Sequence, residues 1–311
     1  MSTTTSPVKT PTSVQKAIDL AFPYIKLARI NGLLGVWLTF WPCVWGALLA
    51  AYVYRVPPST LINILPFLFV GCASLHSAAC TINDIFDRDM DRLVARTKNR
   101  PIPSGAVSVR NAWIFMAIQV LGLFYLLTWA NRACALVALA NLPLQFAYPL
   151  FKRFTYWPSA FLGLTFGWGS LVGWSAVTGS LSWKVNAPLY AAGVCWAFGY
   201  DIIYAFQDKR DDPQAGVKST ALILQNNRPK LFLSILAVGF ITFFYITGQV
   251  VAANAAYFNL TLIATAMHVA WQISTVDLEN PDECFQKFYS NSWIGFVMLP
   301  GLLLNYTTRV A

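Results

Sequence analysis

Of the 311 residues, 57% are hydrophobic and only 11% charged, against roughly 25% charged in an average soluble domain. That composition excludes a water-soluble globular protein. The formal net charge of +9 would suggest nucleic acid in a soluble chain, but here the basic residues fall in short loops between apolar blocks, where membrane topology accounts for them.

In chain order, residues 1–25 open with a polar, Ser/Thr-rich stretch and are expected to form a disordered tail, with residues 26–311 as one polytopic membrane domain. The tail has neither the apolar core of a secretory signal nor the arginines of a mitochondrial presequence. It therefore points to the endoplasmic reticulum or another internal membrane. Blocks long enough to cross a hydrocarbon core of about 30 Å as a helix follow near 33–54, 61–83, 112–130, 133–150, 159–179, 187–207, 230–248, 250–272 and 291–307. An all-α integral membrane fold with nine transmembrane helices is the expected class.

If all nine cross, the N-terminus and the loops after the second, fourth, sixth and eighth spans share one side. That side carries 18 of the 22 basic residues; only Arg55, Arg132, Lys184 and Arg309 lie opposite. By the positive-inside rule the crowded side is cytosolic. The six cysteines show no CxxC pair and lie mostly in apolar blocks, where a thiol packs as a small hydrophobe.

Eight of the 13 acidic residues fall in two short segments, 84–91 and 201–212, at span ends on the crowded side. Ionisable groups there are costly unless they pair, face a cavity or bind something. In the first, NDIFDRDMD, helical spacing brings Asp84, Asp87 and Asp91 within about 60° of one another and leaves Asp89 off the face. The second, DIIYAFQDKRDD, repeats the spacing with Asp201, Tyr204, Asp208 and Asp212, with Asp211 off the face. A single Asp-rich loop is more often a solvated connector. Two of matching spacing on one side suit a hard, oxygen-preferring cation such as Mg2+. Basic residues crowd the same side, in RTKNRP (Arg96, Lys98, Arg100), YPLFKR (Lys152, Arg153) and DKR (Lys209, Arg210), and fit a diphosphate whose departure the ion assists.

Other features are read as structural. Trp37, Trp41 and Trp45 form a helical stripe expected to pack or anchor, the glycines at 163, 167, 169 and 173 fit close helix contact, and His76 is taken as a core histidine. A divalent-cation transporter would explain the spans and acids but not the basic loops beside them, nor clusters held at one face.

The residues from about 26 to 306 resemble the UbiA family of intramembrane aromatic prenyltransferases. NDIFDRDMD matches its NDxxDxxxD motif and YDIIYAFQDKRDD its DxxYAxxDxxxD motif. The resemblance implies nine helices around a central cavity with a lateral opening to lipid, an isoprenyl diphosphate and a small aromatic acceptor as partners, and Mg2+ held by Asn83, Asp84, Asp87, Asp91, Asp208 and Asp212. It assigns Lys98, Arg100, Lys152 and Arg153 to the diphosphate. Tyr148 and Tyr204 fall in the reacting region with Asp84 and Asp87, and Asp201 orients or deprotonates the acceptor. Arg29 and Asn31 fall near the expected acceptor pocket. Relatives that use 4-hydroxybenzoate commonly carry a DKPIG-like run after that arginine, whereas here Arg29 is followed by Ile30, Asn31, Gly32, Leu33, Leu34 and Gly35. The departure resembles the fungal meroterpenoid branch, which transfers a farnesyl group to polyketide phenols of the orsellinic type. Long-chain transfer to 4-hydroxybenzoate for ubiquinone is the alternative within the family.

Overall fold

The computed structural model describes residues 13–310. Those residues fold into helices and turns with no strand. Helix α1 (Ser13–Leu27) occupies part of the segment expected to be a disordered tail, and the rest of that expectation, residues 1–12, lies outside the described residues. The helix forms because apolar residues recur at helical spacing behind the Ser/Thr run: Val14, Ile18, Phe22 and Ile25 are exposed along one face, while Leu27 is buried against Ile85 and Ala112. Its position in the bundle is further fixed by Tyr24, whose ring meets Phe115 at 5.2 Å.

The bundle follows as α2 (Leu34–Tyr54), α3 (Pro58–Asp91), α4 (Val109–Leu127), α5 (Arg132–Phe154), α6 (Pro158–Gly167) with α7 (Gly169–Thr178), and α8 (Trp183–Ala205). Then come the short α9 (Thr220–Leu224), α10 (Pro229–Val250), a π-helical turn (Tyr257–Leu262) running into α11 (Ile263–Thr275), the surface helix α12 (Pro281–Ser290) and α13 (Ile294–Val310). Among the described residues, six stretches are long and apolar enough to cross a membrane: α2, α3, α4, α5, α6 with α7, and α10. The other three expected spans correspond to α8, α11 and α13. Helix α8 carries Lys184, Asn186 and Asp201, while α11 and α13 have 13 and 17 residues.

Helix α2 is the axis of the molecule. Nearly all of it is buried, including Trp45 at 0% exposure, and α7 lies against it so closely that Gly173 has no room for a side chain against the Cys43 backbone. Helices α6 and α8 touch in the same way, through Gly167 and Gly193. The tryptophan stripe packs as expected: Trp37 stacks on Trp41 at 5.1 Å, and Trp41 Nε1 donates to the Ser292 carbonyl at 2.7 Å. Among the described residues all six cysteines are free thiols.

Hydrogen bonds show which ends lie together. The loops after α3 and α8 are joined by Ala95 N donating to Asp211 Oδ2 at 3.0 Å, and the end of α5 joins the loop after α8 through Lys218 N to the Lys152 carbonyl at 2.9 Å. An ion pair between Lys209 and Glu279 adds the loop after α11. At the other end, Tyr306 Oη donates to the Val56 carbonyl at 2.6 Å and Tyr52 Oη to the Ala252 carbonyl at 2.6 Å.

Candidate active site between two aspartate clusters

The 34 residues of α3 make a rod of about 51 Å at 1.5 Å per residue, longer than the roughly 30 Å hydrocarbon core. Its last turns therefore extend beyond that depth, and they carry Asn83, Asp84, Asp87 and Asp91, all buried by neighbouring loops. The helical spacing read in the sequence holds here, and Asp89 is solvent-exposed as expected, its side chain 70% accessible.

The second cluster is built differently. Helix α8 ends at Ala205, so only Asp201 and Tyr204 are helical; Asp208 and Asp212 sit in consecutive turns, where the Asp211 and Asp212 amides both donate to the Asp208 carbonyl at 2.9 Å. Pro213 disfavours helix at the preceding Asp212, and the charged run DKRDD contributes no apolar face to hold a further turn. Asp211 faces away from the cavity and pins the 92–100 loop through Ala95.

Between the clusters lies a cavity of about 450 Å³. Asn83, Asp87, Asp91, Asp201, Asp208 and Asp212 line it, as do Arg29, Asn31, Arg100, Tyr148, Lys152 and Tyr204. Four of the acids, Asp84, Asp87, Asp91 and Asp208, are matched by bases. Arg29 Nη2 donates to Asp84 Oδ1 at 2.6 Å; Arg100 Nη1 donates to Asp91 Oδ2 at 2.8 Å and to Asp84 Oδ1 at 3.2 Å. Lys152 Nζ donates to Asp87 Oδ2 at 2.6 Å and to Asn83 Oδ1 at 3.4 Å. Arg96 forms a two-pronged pair with Asp208, at 2.9 and 2.5 Å. Burial, and then the charge of Asp208, push the Asp212 carboxyl up to about 7.

Not every candidate reaches the cavity. Lys98 is exposed and outside its wall; Arg153 reaches over the outside of α3 to the Phe86 carbonyl at 2.7 Å. Asp84 is buried behind the wall, held by Arg29 and Arg100. Other residues take their place. Arg96 lines the cavity where Lys98 was expected, and Phe288 from α12 meets Tyr204 at 4.4 Å and Tyr200 at 5.6 Å. Arg96 was visible as a base in RTKNRP; nothing in the sequence near Phe288 marks it. His76, read as a core residue, lines the same cavity against Gly35, within 3.4 Å of the Cys80 thiol.

Does this site suit a divalent cation? Asp87 Oδ1 is a buried carboxylate oxygen with no hydrogen-bond partner, an arrangement that costs free energy unless a ligand completes it. Among the described residues, no three carboxylate, histidine or cysteine side chains enclose one ion alone. The unpartnered carboxylate oxygen fits Mg2+, which is usually held by one or two carboxylates with substrate phosphates completing the shell.

Comparison with known proteins decides the family. The sequence model of the UbiA prenyltransferase family matches residues 39–297. The chain belongs to that family. It is 42% identical to the Arabidopsis thaliana "4-hydroxybenzoate polyprenyltransferase, mitochondrial", over 92% of this chain and 70% of that one. It is also 42% identical to the Lithospermum erythrorhizon "4-hydroxybenzoate geranyltransferase 1", over 91% of this chain and 90% of that one. Among solved structures, a UbiA homolog from Aeropyrum pernix K1 superposes with a TM-score of 0.73 at 23% identity, covering 87% of this chain and 97% of that one. A UbiA homolog from Archaeoglobus fulgidus, solved with DMAPP and Mg2+, superposes with a TM-score of 0.64 at 18% identity, covering 89% and 99%. This UbiA-family member is therefore a multi-pass membrane enzyme, an aromatic prenyltransferase. The expected meroterpenoid branch finds no counterpart in these relatives, whose names carry 4-hydroxybenzoate, and the endoplasmic reticulum address finds none in the mitochondrial one.

Proposed function

We propose that this enzyme moves an isoprenyl group from its diphosphate to a ring carbon of a hydroxybenzoate-class acceptor, with Mg2+ as the ion between the clusters. The observation that carries the reading is Asp87 Oδ1, a buried carboxylate oxygen without a partner in a cavity walled by both aspartate clusters and by Arg29, Arg96, Arg100, Lys152 and Lys218. When bound, Mg2+ would neutralise charge on the departing diphosphate, and Asn83, Asp87 and Asp91 on one wall and Asp208 and Asp212 on the other are the set from which one or two carboxylates would hold an ion at each cluster. The bases now paired with these acids, Arg29, Arg96, Arg100 and Lys152, are within reach of the same anion and turn to it when it enters.

Breaking the allylic C–O bond leaves its electron pair with the diphosphate and a cation on carbon. The π faces of Tyr148, Tyr204 and Phe288 border that space, and aromatic faces attract positive charge. The ring carbon of the acceptor supplies the electron pair for the new C–C bond, and Asp201 in the same wall takes the ring proton.

The relatives' names favour 4-hydroxybenzoate as acceptor, and the mitochondrial name favours that organelle. A second reading, a farnesyl group transferred to an orsellinic-type polyketide acid in an internal membrane, is favoured by one feature. Asn31 and Gly32 line the cavity where the DKPIG-like run would place an acid and a lysine. The test is a membrane-fraction assay with Mg2+, crossing dimethylallyl, farnesyl and longer diphosphates with both acids. Transfer to 4-hydroxybenzoate upholds the first reading and transfer to the orsellinic acid alone the second. No transfer from any donor, in correctly inserted protein, removes both.

A further inference from the structure

Below the catalytic cavity lies a second, smaller one of about 80 Å³. Four parts of the bundle line both in register. Helix α2 gives Leu38 to the upper cavity and the adjoining Thr39, with Cys43 one turn beyond it, to the lower; α5 gives Tyr148 and Lys152 above and Asn141 and Gln145 below. Phe166 lines both and is the partition between them.

The lower chamber is apolar in effect. Its hydroxyls spend their protons on nearby carbonyls: Thr39 Oγ1 donates to Val36 at 2.9 Å and Thr165 Oγ1 to Leu162 at 2.8 Å. Asn141 Nδ2 likewise donates to the Thr165 carbonyl at 3.2 Å, which leaves its Oδ1 as a lone acceptor. Among the described residues, no charged side chain lines the chamber. A diphosphate or an acceptor carboxylate would find nothing to neutralise it there, whereas a hydrocarbon chain would meet a mostly apolar wall, with the Asn141 and Gln145 amides as its polar exceptions. From Phe67 to Leu75 the chamber follows α3 for about 12 Å.

We infer that this chamber takes the distal isoprene units of the donor, and that Phe166 sets how far the chain can reach. The inference rests on the diphosphate-donor reading above. A chain held between α3, α4 and α5 is oriented with its allylic carbon among Tyr148, Tyr204 and Phe288.

The test compares rates with dimethylallyl, farnesyl and longer polyprenyl diphosphates for wild type, Phe166→Ala and Ala138→Phe, the last filling the chamber. Opening the partition is expected to raise the long-to-short rate ratio about tenfold and filling it to lower that ratio about tenfold, since misfitting one methylene in an apolar pocket already costs that much. A ratio unchanged in both variants overturns the inference. Should a variant fail to fold, a farnesyl diphosphate analogue with a terminal photoreactive group decides the matter on the wild-type enzyme. Labelling within 67–75 or 134–145 supports the chamber, and labelling confined to α13 or to lipid overturns it. A wild type that transfers none of the donors defeats the donor reading itself, an outcome distinct from either.

Discussion

Arg96 grips Asp208 through two hydrogen bonds while its guanidinium lies 5.0 Å from the centre of the Tyr204 ring. One side chain thus ties the 92–100 loop to a proposed metal ligand and to an aromatic wall of the reacting space. Its carboxylate partner cannot serve both Arg96 and an ion fully, so donor binding is expected to transfer the arginine from Asp208 to phosphate. Arg96→Ala should raise the KM for the donor diphosphate by about 10- to 100-fold, the range for losing a charge-assisted pair. Arg96→Lys should recover only part, because an ammonium keeps the charge but not the planar fork. Donor titrations of purified variants check both, and Lys98→Ala, at an exposed position outside the cavity, should leave KM near wild type.

Asp87 carries the fit to Mg2+, since one of its oxygens is held by Lys152 and the other is buried without a partner. Asp87→Asn keeps the shape and removes the charge. The expected outcome is a fall in kcat of at least roughly 10²-fold, the scale for losing one preorganised electrostatic contact, with a higher Mg2+ concentration for half-maximal rate. Equal metal dependence in the variant and wild type would remove Asp87 from the metal shell.

Packing makes a separate prediction. At Gly173 an added methyl group would run into the Cys43 backbone, with the Cys43 Cα only 2.8 Å away, whereas at Gly122 nothing lies within 4 Å. Gly173→Ala must force α2 and α7 apart and should cost about 1–3 kcal/mol, the usual range for overpacking. Gly122→Ala should cost nothing from packing and gain slightly in helix propensity. Thermal unfolding of the two variants in the same detergent, followed by monodisperse fraction, compares them directly.

Much of this site was legible because helices convert spacing into geometry. Asn83, Asp84, Asp87 and Asp91 lie on a regular helix, so counting by 100° brings Asn83, Asp87 and Asp91 to the cavity wall and sets Asp89 outside, while Asp84 lies behind that wall. Asp208 and Asp212 were found by the same count for a different reason, since the chain there turns twice without continuing α8, and tight turns happen to keep a four-residue repeat on one side. In the 92–100 loop no repeat governs direction, so Lys98 was chosen where Arg96, two residues earlier, faces the cavity. Phe288 was out of reach for another reason: it comes from a surface helix more than 80 positions from Tyr204, and only tertiary packing brings the rings together. At α1 the i, i+4 stripe was present, but the Ser/Thr-rich residues before it suggested a tail.

The pH dependence follows from Asp212. Its carboxyl is pushed from the ordinary 3.8 up to about 7, first by burial and then by the charge of Asp208. An ion must displace that proton, so between pH 6 and 7 Mg2+ competes with it, and each unit of acidification below 7 weakens the carboxylate's contribution by up to about tenfold. The Mg2+ concentration for half-maximal rate should therefore fall as pH rises from 6 to 8 and level off above about 7.5. Asp212→Asn, which has no proton to lose, should need more Mg2+ at every pH and show a flatter dependence over the same window. Without the ion the sign for stability is opposite. The folded state holds a proton that the unfolded chain releases above about pH 4, so the ion-free protein loses this contribution as pH rises from about 4 to 7. Melting curves with a chelator and with excess Mg2+ should accordingly diverge as pH increases.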